Sequence, residues 1–263
     1  MRSGGAERPA PKRSAGTEFI WGMRLLGRGF AMYARYPGLF ILGLVPALIS
    51  FVVVIAALLV LIYFVDDLGS WITSFANGWS SDAQKALRLL VDIAIVVGAC
   101  WLALVTFTAL TLIIGDPFYE KISEKVDERL GGAAGKFDLP WYRTLPRNAV
   151  DSIRVVVTEA VLAVPTFLIG LIPVVGQVAA PILGAGIGGW LLSVDLTGIP
   201  FNRRGIFLSE RRRILRANRA LAMGFGVPVA LLLLIPFIGI LVIPPAIAGG
   251  TLLTRRVLGQ PIE

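Results

Sequence analysis

The sequence predicts an all-α integral membrane protein with two spanning helices and two tandem Pro-Gly helical hairpins that are partly inserted in the membrane. The first observation is composition: 56% of the 263 residues are hydrophobic and 16% are charged, with a mean hydropathy of +0.78. Such values are typical of multi-pass membrane proteins rather than soluble domains. The other two observations are a pair of long uncharged segments and an apolar Pro-Gly turn that occurs twice.

The N-terminal part of the chain is polar at first and then amphipathic. Residues 1–17 are rich in Gly, Pro, Ser and Arg, which predicts a disordered cytoplasmic tail. No apolar region with a small-residue cleavage site follows, so this tail does not form a signal peptide. Within residues 18–36, Arg24, Arg28 and Arg35 are spaced to share one helix face beside large apolar side chains. This pattern predicts an amphipathic helix that lies on the membrane surface.

Two uncharged segments are long enough to cross a bilayer. Residues 39–65 form a run of 27, about 40 Å as a helix, and residues 93–114 form a run of 22. Asp66 and Asp67 end the first run sharply. We therefore expect a polar connection over residues 66–90 between the two crossings.

A new helix is predicted directly after the second crossing. Asp116 is a suitable N-cap, and Pro117 suits the first helical position. The residues that follow form a basic stripe beside an acidic stripe: Lys121, Lys125 and Arg129 against Glu120, Glu124 and Glu128. Pairs at i,i+3 contribute only ~0.2–0.5 kcal/mol each, so the pattern is typical of a solvated helix.

The apolar Pro-Gly turn occurs twice, 63 residues apart. Leu-Ile-Pro-Val-Val-Gly at 171–176 recurs as Leu-Ile-Pro-Phe-Ile-Gly at 234–239, and no charged residue lies within nine positions of either segment. Exposed turns are normally polar because their backbone groups must be solvated. We therefore predict two helical hairpins whose tips are buried at membrane depth. The tip residues are Pro173, Gly176, Pro236 and Gly239.

Most arms of these hairpins are short. Residues 160–172, 221–235 and 240–253 comprise 13, 15 and 14 residues, below the ~20 that a spanning helix needs. Pro244-Pro245 and Gly249-Gly250 should also break or bend the last arm. Residues 174–194, 21 in all, could cross alone. Partial insertion is the favoured interpretation, and full-span helices that tilt and kink are the alternative.

The positive charge is distributed unevenly. The net charge is +8, and 23 of the 25 lysines and arginines fall within 1–37, 115–154, 201–222 and 255–256. These segments share one side of the membrane if the N-terminus is cytoplasmic and each hairpin returns to the side it left. Lys and Arg are enriched on cytoplasmic segments, so the pattern favours membrane lipids over nucleic acid as partners and places both termini in the cytoplasm. The densest cluster, at 201–222, fits either lipid headgroups or a vestibule that concentrates anions.

The residue types that common catalytic and metal sites require are scarce. The sequence contains no histidine and one cysteine, Cys100. His-dependent triads, His-ligated metals, Cys-rich metal sites and intrachain disulfides are thereby excluded. No nucleophile–base constellation is visible either. We therefore expect a protein that is not an enzyme and that has no metal and no cofactor.

An ordered set of short motifs runs through residues 20–254. They are Pro117-Phe118, Glu124, Asp127-Glu128-Arg129-Leu130, Ile172-Pro173-Val174-Val175-Gly176-Gln177, Pro181, Trp190, Pro200-Phe201, Arg212-Arg213, Gly224-Phe225-Gly226, Ile235-Pro236, Pro244 and Gly249-Gly250-Thr251. In this order they resemble the CysZ sulfate permeases of bacteria and their eukaryotic etoposide-induced relatives. The resemblance implies two spanning helices, two partially inserted hairpins, a homo-oligomer and inward passage of sulfate for cysteine synthesis without nucleotide hydrolysis. It makes Pro117, Phe118, Glu124 and Arg129 a cytoplasmic family motif.

One departure from the family pattern concerns the substrate. The family carries Pro-Gly-apolar-Arg-Arg before the first spanning helix, and the resemblance assigns that arginine pair to sulfate binding. Here Gly38 and Leu39 are followed by Phe40 and Ile41, so two charged hydrogen bonds of ~1.5–3 kcal/mol each are absent. Gly38 and Leu39 still open a helix N-terminus that favours an anion. Arg35 is the nearby candidate charge, and contact with anionic lipid headgroups explains it equally well.

Two hypotheses for function follow. The first is a multi-pass permease or channel that conducts a small inorganic anion, sulfate by resemblance, through a homo-oligomer in the bacterial inner membrane. The alternative is a non-transporting membrane scaffold or assembly factor with the same fold. In both cases we expect a cytoplasmic tail at 1–17, a single CysZ-like membrane domain at 18–254 and a cytoplasmic C-terminal tail at 255–263.

Overall fold

The computed structural model describes residues 14–132, 157–158, 160–172, 175–235 and 238–263. These residues contain α-helices, one short 3-10 helix (Ser74–Ala76) and connecting turns, with no strand among them. The helices in chain order are α1 (Ala15–Arg35), α2 (Pro37–Ile72), α3 (Ser81–Arg129), α4 (Ala160–Gly170), α5 (Val175–Leu196), α6 (Gly198–Asn202), α7 (Leu208–Ala217), α8 (Arg219–Leu233) and α9 (Gly239–Val257). The all-helical fold class predicted from the sequence is confirmed.

The chain divides into two compact units. The larger unit comprises Met1–Leu39 and Ile122–Glu263, and the smaller unit comprises Phe40–Lys121. The long helices α2 and α3 each contribute to both, since α2 begins in the larger unit and α3 ends there.

The smaller unit is a pair of long helices with little internal core. Only 6% of the most apolar 18-residue window of α2 is buried, and 0% of the corresponding window of α3. Large side chains such as Val52, Ile62 and Trp101 are 65%, 63% and 67% exposed. Exposed apolar surface of this extent requires a lipid or protein environment. Both helices are long and apolar enough to cross a membrane, as the uncharged runs predict.

The predicted polar connection over residues 66–90 is wrong in its extent. Helix α2 continues past Asp66 to Ile72, and α3 already begins at Ser81. The carboxylate of Asp66 lies near the end of α2 and is compensated by Arg88. Nη2 of Arg88 donates to the Asp66 carbonyl at 3.3 Å and lies 3.8 Å from the Asp66 carboxylate. At the end of α2, the hydroxyl of Thr73 donates to the Gly69 carbonyl at 2.7 Å. This bond gives a carbonyl of the last helical turn a partner.

The predicted new helix at Asp116 and Pro117 is also wrong, because α3 runs without interruption from Ser81 to Arg129. A proline inside a helix removes one backbone hydrogen bond. Burial of side chains in the final turns of α3 compensates for that lost hydrogen bond. Four side chains there are 0% exposed: Ile122, Ser123, Val126 and Asp127. Their spacing of three and four residues places them on one helix face.

The larger unit is built on close contacts between helices. Helix α1 packs on α8 and α9, and α5 packs on α8. Glycines allow this approach: a β-carbon at Gly22 of α1 would lie 2.6 Å from the Phe225 nitrogen of α8, and one at Gly189 of α5 would lie 2.7 Å from the Val227 nitrogen. Small residues at helix contacts are typical of membrane proteins, where dispersion between closely packed helices drives association.

Helix α1 buries part of its apolar face in contacts with other helices, and its position on the membrane surface stays a prediction. The expectation was a helix resting on lipid, with Arg24, Arg28 and Arg35 along one face. The apolar side chains of Leu25 and Leu26 are 0% and 6% exposed within the larger unit, on a helix that packs against α8 and α9. This part of the apolar face of α1 is therefore in a protein core.

The helices flanking the Pro-Gly turns have unequal lengths. Helices α4 and α8 have 11 and 15 residues, about 16 and 22 Å long, and are too short to span. Helices α5 and α9 are long and apolar enough to cross a membrane. The last arm is longer than predicted because α9 continues through Pro244-Pro245 and Gly249-Gly250 to Val257. Burial of nearly all of residues 244–255 stabilises that helix against its prolines and glycines.

The hairpin tips are described in part. Pro173 and Pro236 lie outside the described residues. Gly176 is buried in the first turn of α5, and its N–H donates to the Ile172 carbonyl at 2.9 Å. Gly239 is the first residue of α9.

The glycine contacts of α1 lead to a first prediction. Gly22→Ala should lower the free energy of unfolding by about 1–3 kcal/mol, because its β-carbon would overlap backbone atoms of α8. Gly27→Ala on the same helix is the matched control. A β-carbon there meets nothing within 4 Å, and alanine is the better helix former. Thermal unfolding of both variants in detergent tests the difference, and equal melting temperatures would contradict this packing.

Candidate anion-binding site

A cavity of about 360 Å³ lies at the start of α2, within the larger unit. Its lining combines the first turn of α2, through Gly38 and Leu39, with the last turns of α3, through Lys125, Glu128 and Arg129. The structure thus brings two residues predicted for anion binding next to Arg129, which the sequence analysis assigned to a cytoplasmic motif. Two cations and one carboxylate leave the cavity with a net positive charge.

The backbone at this cavity favours an anion. Pro37 occupies the first position of α2, where its missing N–H costs nothing, and the first turn contains no acidic residue. The first backbone N–H groups of a helix have no intrahelical partner and lie at the positive end of its dipole. Gly38 keeps this end open, because no side chain covers its amide.

The cations come from α3 and are held close to the start of α2. A β-carbon built at Gly38 would lie 3.6 Å from Nζ of Lys125, so the ammonium group reaches the glycine. The guanidinium carbon of Arg129 lies 3.4 Å from the ring centroid of Tyr36, a stacked cation–π contact. Stacking fixes the plane of Arg129 at the cavity wall and leaves its N–H edge available to a ligand.

The remaining residues around the start of α2 differ in their exposure and in whether they line the cavity. Leu39 is 0% exposed and its N–H donates to the Tyr36 carbonyl at 2.9 Å, so it lines the cavity from within the core without a free backbone donor. Phe40 and Ile41, which replace the arginine pair of the family, are 43% and 57% exposed. Arg35, predicted as the nearby charge, is exposed in the last turn of α1 and is not among the residues that line the cavity.

Lys125 and Glu128 were missed as site residues by sequence reasoning. The signal was present in the basic stripe, since Lys125 and Arg129 are four residues apart on one helix face. A stripe of this kind is usually solvated. Only the return of α3 to the start of α2 makes this one part of a cavity.

The remaining members of the predicted cytoplasmic motif have other roles. Pro117 and the half-buried Phe118 lie within α3 in the smaller unit. Glu124 faces Arg203, with 3.7 Å between its Oε1 and Nη2 of the arginine. Among the described residues, no group of three or more His, Cys, Asp or Glu side chains is arranged to hold a metal ion.

Beside the cavity, Asp127 is the centre of a buried ionic cluster. Its carboxylate is 0% exposed and accepts from Arg204 at 2.7 Å and from Arg255 at 3.0 Å, with Arg203 at 3.4 Å. Arg204 and Arg255 are themselves only 3% and 2% exposed. The cluster ties the end of α3 to α9 and to the segment after α6.

The surplus donors of this cluster bind backbone and amide oxygens. Arg255 donates to the carbonyls of Leu130, Gly132 and Pro261, and Arg204 donates to the side chain of Gln260. Gly132 has a φ of +85°, a backbone conformation that suits glycine and turns its carbonyl towards Arg255. The cluster therefore fixes the position of the end of α3, which contains Lys125 and Arg129.

These features define a class: a helical membrane protein with long helices whose apolar surface is exposed and with a cationic cavity at a helix N-terminus. The family model described as Sulfate transporter CysZ/Etoposide-induced protein 2.4 matches residues 25–244, and the chain belongs to this family. The sulfate transporter CysZ of Vibrio cholerae is 27% identical over 244 residues, 91% of this chain and 92% of its own length. That of Pseudomonas fluorescens strain Pf-5 is 33% identical over 157 residues, 59% of this chain and 63% of its own length.

Proposed function

We propose that this chain is a bacterial membrane permease for a small inorganic anion, sulfate, and that the cavity at the start of α2 is an anion-binding step on its path. The observation that carries the proposal is the meeting of Gly38 with Lys125 and Arg129 in one cavity. The similarity to sulfate transporters of Vibrio and Pseudomonas supports sulfate as the substrate.

The charges of the cavity suit a divalent oxyanion. Sulfate has several acceptor oxygens, which the Gly38 amide and the donors of Lys125 and Arg129 satisfy from two directions. In this chain, the two cations of α3 replace the arginine pair that the family carries at the positions of Phe40 and Ile41. Glu128 limits the net charge, so binding remains weak enough for the anion to leave.

The proposal includes an arrangement in the membrane. Helices α2 and α3 span, and the pairs α4–α5 and α8–α9 are hairpins that insert from the cytoplasmic side without reaching the far side. The short lengths of α4 and α8 support this arrangement, as does the concentration of Lys and Arg on one side. The membrane is the bacterial inner membrane, both termini are cytoplasmic, and a homo-oligomer covers part of the exposed apolar surface.

Sulfate flux into liposomes tests the function directly. Vesicles that contain the purified protein should take up radioactive sulfate faster than empty vesicles, without nucleotide. Absence of uptake for sulfate and for several other anions would instead favour a scaffold without transport activity.

A second prediction concerns the backbone donor at Gly38. Gly38→Pro should reduce sulfate uptake about tenfold or more, because it removes one N–H donor to an anion, worth ~1.5–3 kcal/mol. Gly38→Ala keeps the N–H, and its β-carbon would sit at an ordinary 3.6 Å from Nζ of Lys125. Uptake by the alanine variant should stay near that of the wild type. Equal uptake rates for the two variants would show that the Gly38 amide does not bind the anion.

The hairpin arrangement gives a third prediction. In a Cys100→Ser background, cysteines introduced at Val175 and Ile238 should resist a thiol reagent that cannot cross lipid when it is applied outside intact cells. Gly78→Cys, in the connection between α2 and α3, should react and serves as the positive control. Efficient modification at 175 or 238 would show that these turns reach external water and would refute partial insertion.

A further inference from the structure

A second cavity, of about 640 Å³, lies between α5 and the start of α8 in the larger unit. Trp190 of α5, Ala220 and Met223 of α8 form its apolar part, and Arg216 and Arg219 form its charged part. Arg216 lies in the last turn of α7 and Arg219 begins α8, so the helix junction at Asn218 brings both arginines to one cavity. The groove therefore has an apolar portion and a cationic portion.

The two arginines of this groove have no partner in the part of the chain that the structure describes. Arg216 and Arg219 make no hydrogen bond, ion pair or ring contact with any described residue, and both are exposed. Arg203, Arg204 and Arg255, in contrast, share the buried Asp127. Two unpaired guanidinium groups that line one cavity create a positive potential, which an anion would neutralise.

The backbone next to these arginines contributes in the same direction. Asn218 is the N-cap of α8, but its side chain makes no capping bond and instead donates to the Ile214 carbonyl at 3.0 Å. The first amides of α8 therefore receive no side-chain oxygen from their cap. These amides lie in the same helix turn as Arg219, the first residue of α8.

We propose that this groove binds an anionic phospholipid. The phosphate lies against Arg216 and Arg219, and an acyl chain lies along Trp190 and Met223. An inorganic anion would use only the charged portion, whereas a phospholipid matches both portions. Tryptophan and arginine side by side are also the residues that contact headgroups at membrane interfaces.

The charges of the groove argue against a second copy of the chain as its occupant. A symmetric contact centred on this groove would place the arginines of one copy near the same arginines of the other. Like charges at a contact oppose association unless acidic groups intervene, and no acidic side chain among the described residues lines the groove. A lipid with a phosphate headgroup removes the conflict.

Fluorescence quenching tests the proposal on the full-length protein in detergent. Phosphatidylglycerol with brominated acyl chains is titrated against phosphatidylcholine with the same chains, and the signal of Trp190 is obtained by subtracting a Trp190→Phe variant. We expect half-maximal quenching of Trp190 at a concentration at least about tenfold lower for phosphatidylglycerol. The double variant R216Q/R219Q should lose this preference. The control R213Q/K85Q removes the same charge at exposed positions outside the groove and should keep it.

Each contrary outcome overturns the proposal. Equal quenching by the two lipids, or an unchanged preference in R216Q/R219Q, would show that the two arginines do not bind a charged headgroup. Suppression of the preference by millimolar inorganic phosphate at constant ionic strength would identify a free-anion site. Absence of quenching by any brominated lipid, together with a dimer mass in native mass spectrometry, would identify a second copy as the occupant. Melting temperatures of both double variants confirm that loss of binding is not loss of fold.

Discussion

Asp127→Asn should lower the free energy of unfolding by about 3–5 kcal/mol, the usual effect of removing one partner from a buried ionic cluster. The substitution keeps the size of the side chain but leaves Arg204 and Arg255, 3% and 2% exposed, without a compensating charge. Desolvated guanidinium groups are costly, and water cannot reach these two to replace the carboxylate. Thermal unfolding in detergent measures the loss.

Glu124→Gln is the matched control for this prediction. Glu124 lies one turn earlier on α3 and faces the same cluster through Arg203, but its side chain is 42% exposed. Exposed ion pairs contribute only ~0–1 kcal/mol, so this variant should melt close to the wild type. If both variants unfold at the same temperature, Asp127 is not the centre of the cluster.

The double variant Lys125→Gln/Arg129→Gln should raise the sulfate concentration for half-maximal uptake about 100-fold. Each side chain supplies a charge-assisted hydrogen bond of ~1.5–3 kcal/mol, and the lower value suits a cavity open to water. Two such losses total ~3 kcal/mol, which corresponds to about two factors of ten. The measurement is the concentration dependence of sulfate uptake into liposomes.

Two further variants provide a control for this prediction and a change in sulfate affinity in the opposite direction. R213Q/K85Q removes the same net charge from exposed side chains that do not line the cavity, and it should leave half-saturation within about twofold, since exposed charges are screened by salt. Glu128→Gln removes the carboxylate from the cavity and should lower the half-saturating concentration. A rise with Glu128→Gln, or equal effects of the two double variants, would place sulfate binding elsewhere.

Much of the fold follows from the order of residues alone. The uncharged runs predict the membrane-crossing parts of α2 and α3, because apolar side chains over 22 or more positions have no other stable environment. Element boundaries were less accurate. Asp66, Pro117 and the Pro244-Pro245 pair each signal a helix end locally, yet each lies inside a helix. Tertiary contacts such as Arg88 with Asp66 supply what the local signal lacks.

The candidate site was predicted in half. Gly38 and Leu39 were identifiable as the start of a helix after Pro37, where the Gly38 amide is left free for an anion. Lys125 was not identifiable, because its role depends on where the end of α3 lies in the larger unit. The buried Asp127 was likewise indistinguishable from the solvated acidic residues around it, since one charged stripe resembles another until burial is known.

By itself the sequence determined that this protein is helical, resides in a membrane, lacks histidine and has too few cysteines for a Cys-rich metal site or an intrachain disulfide. Those properties depend on composition and local pattern, which need no knowledge of distant contacts. Only the tertiary structure showed which charges come together, namely Lys125 and Arg129 beside Gly38, and Asp127 among three arginines. Electrostatic effect depends on distance and burial, and both are set by residues more than 70 positions apart in the chain.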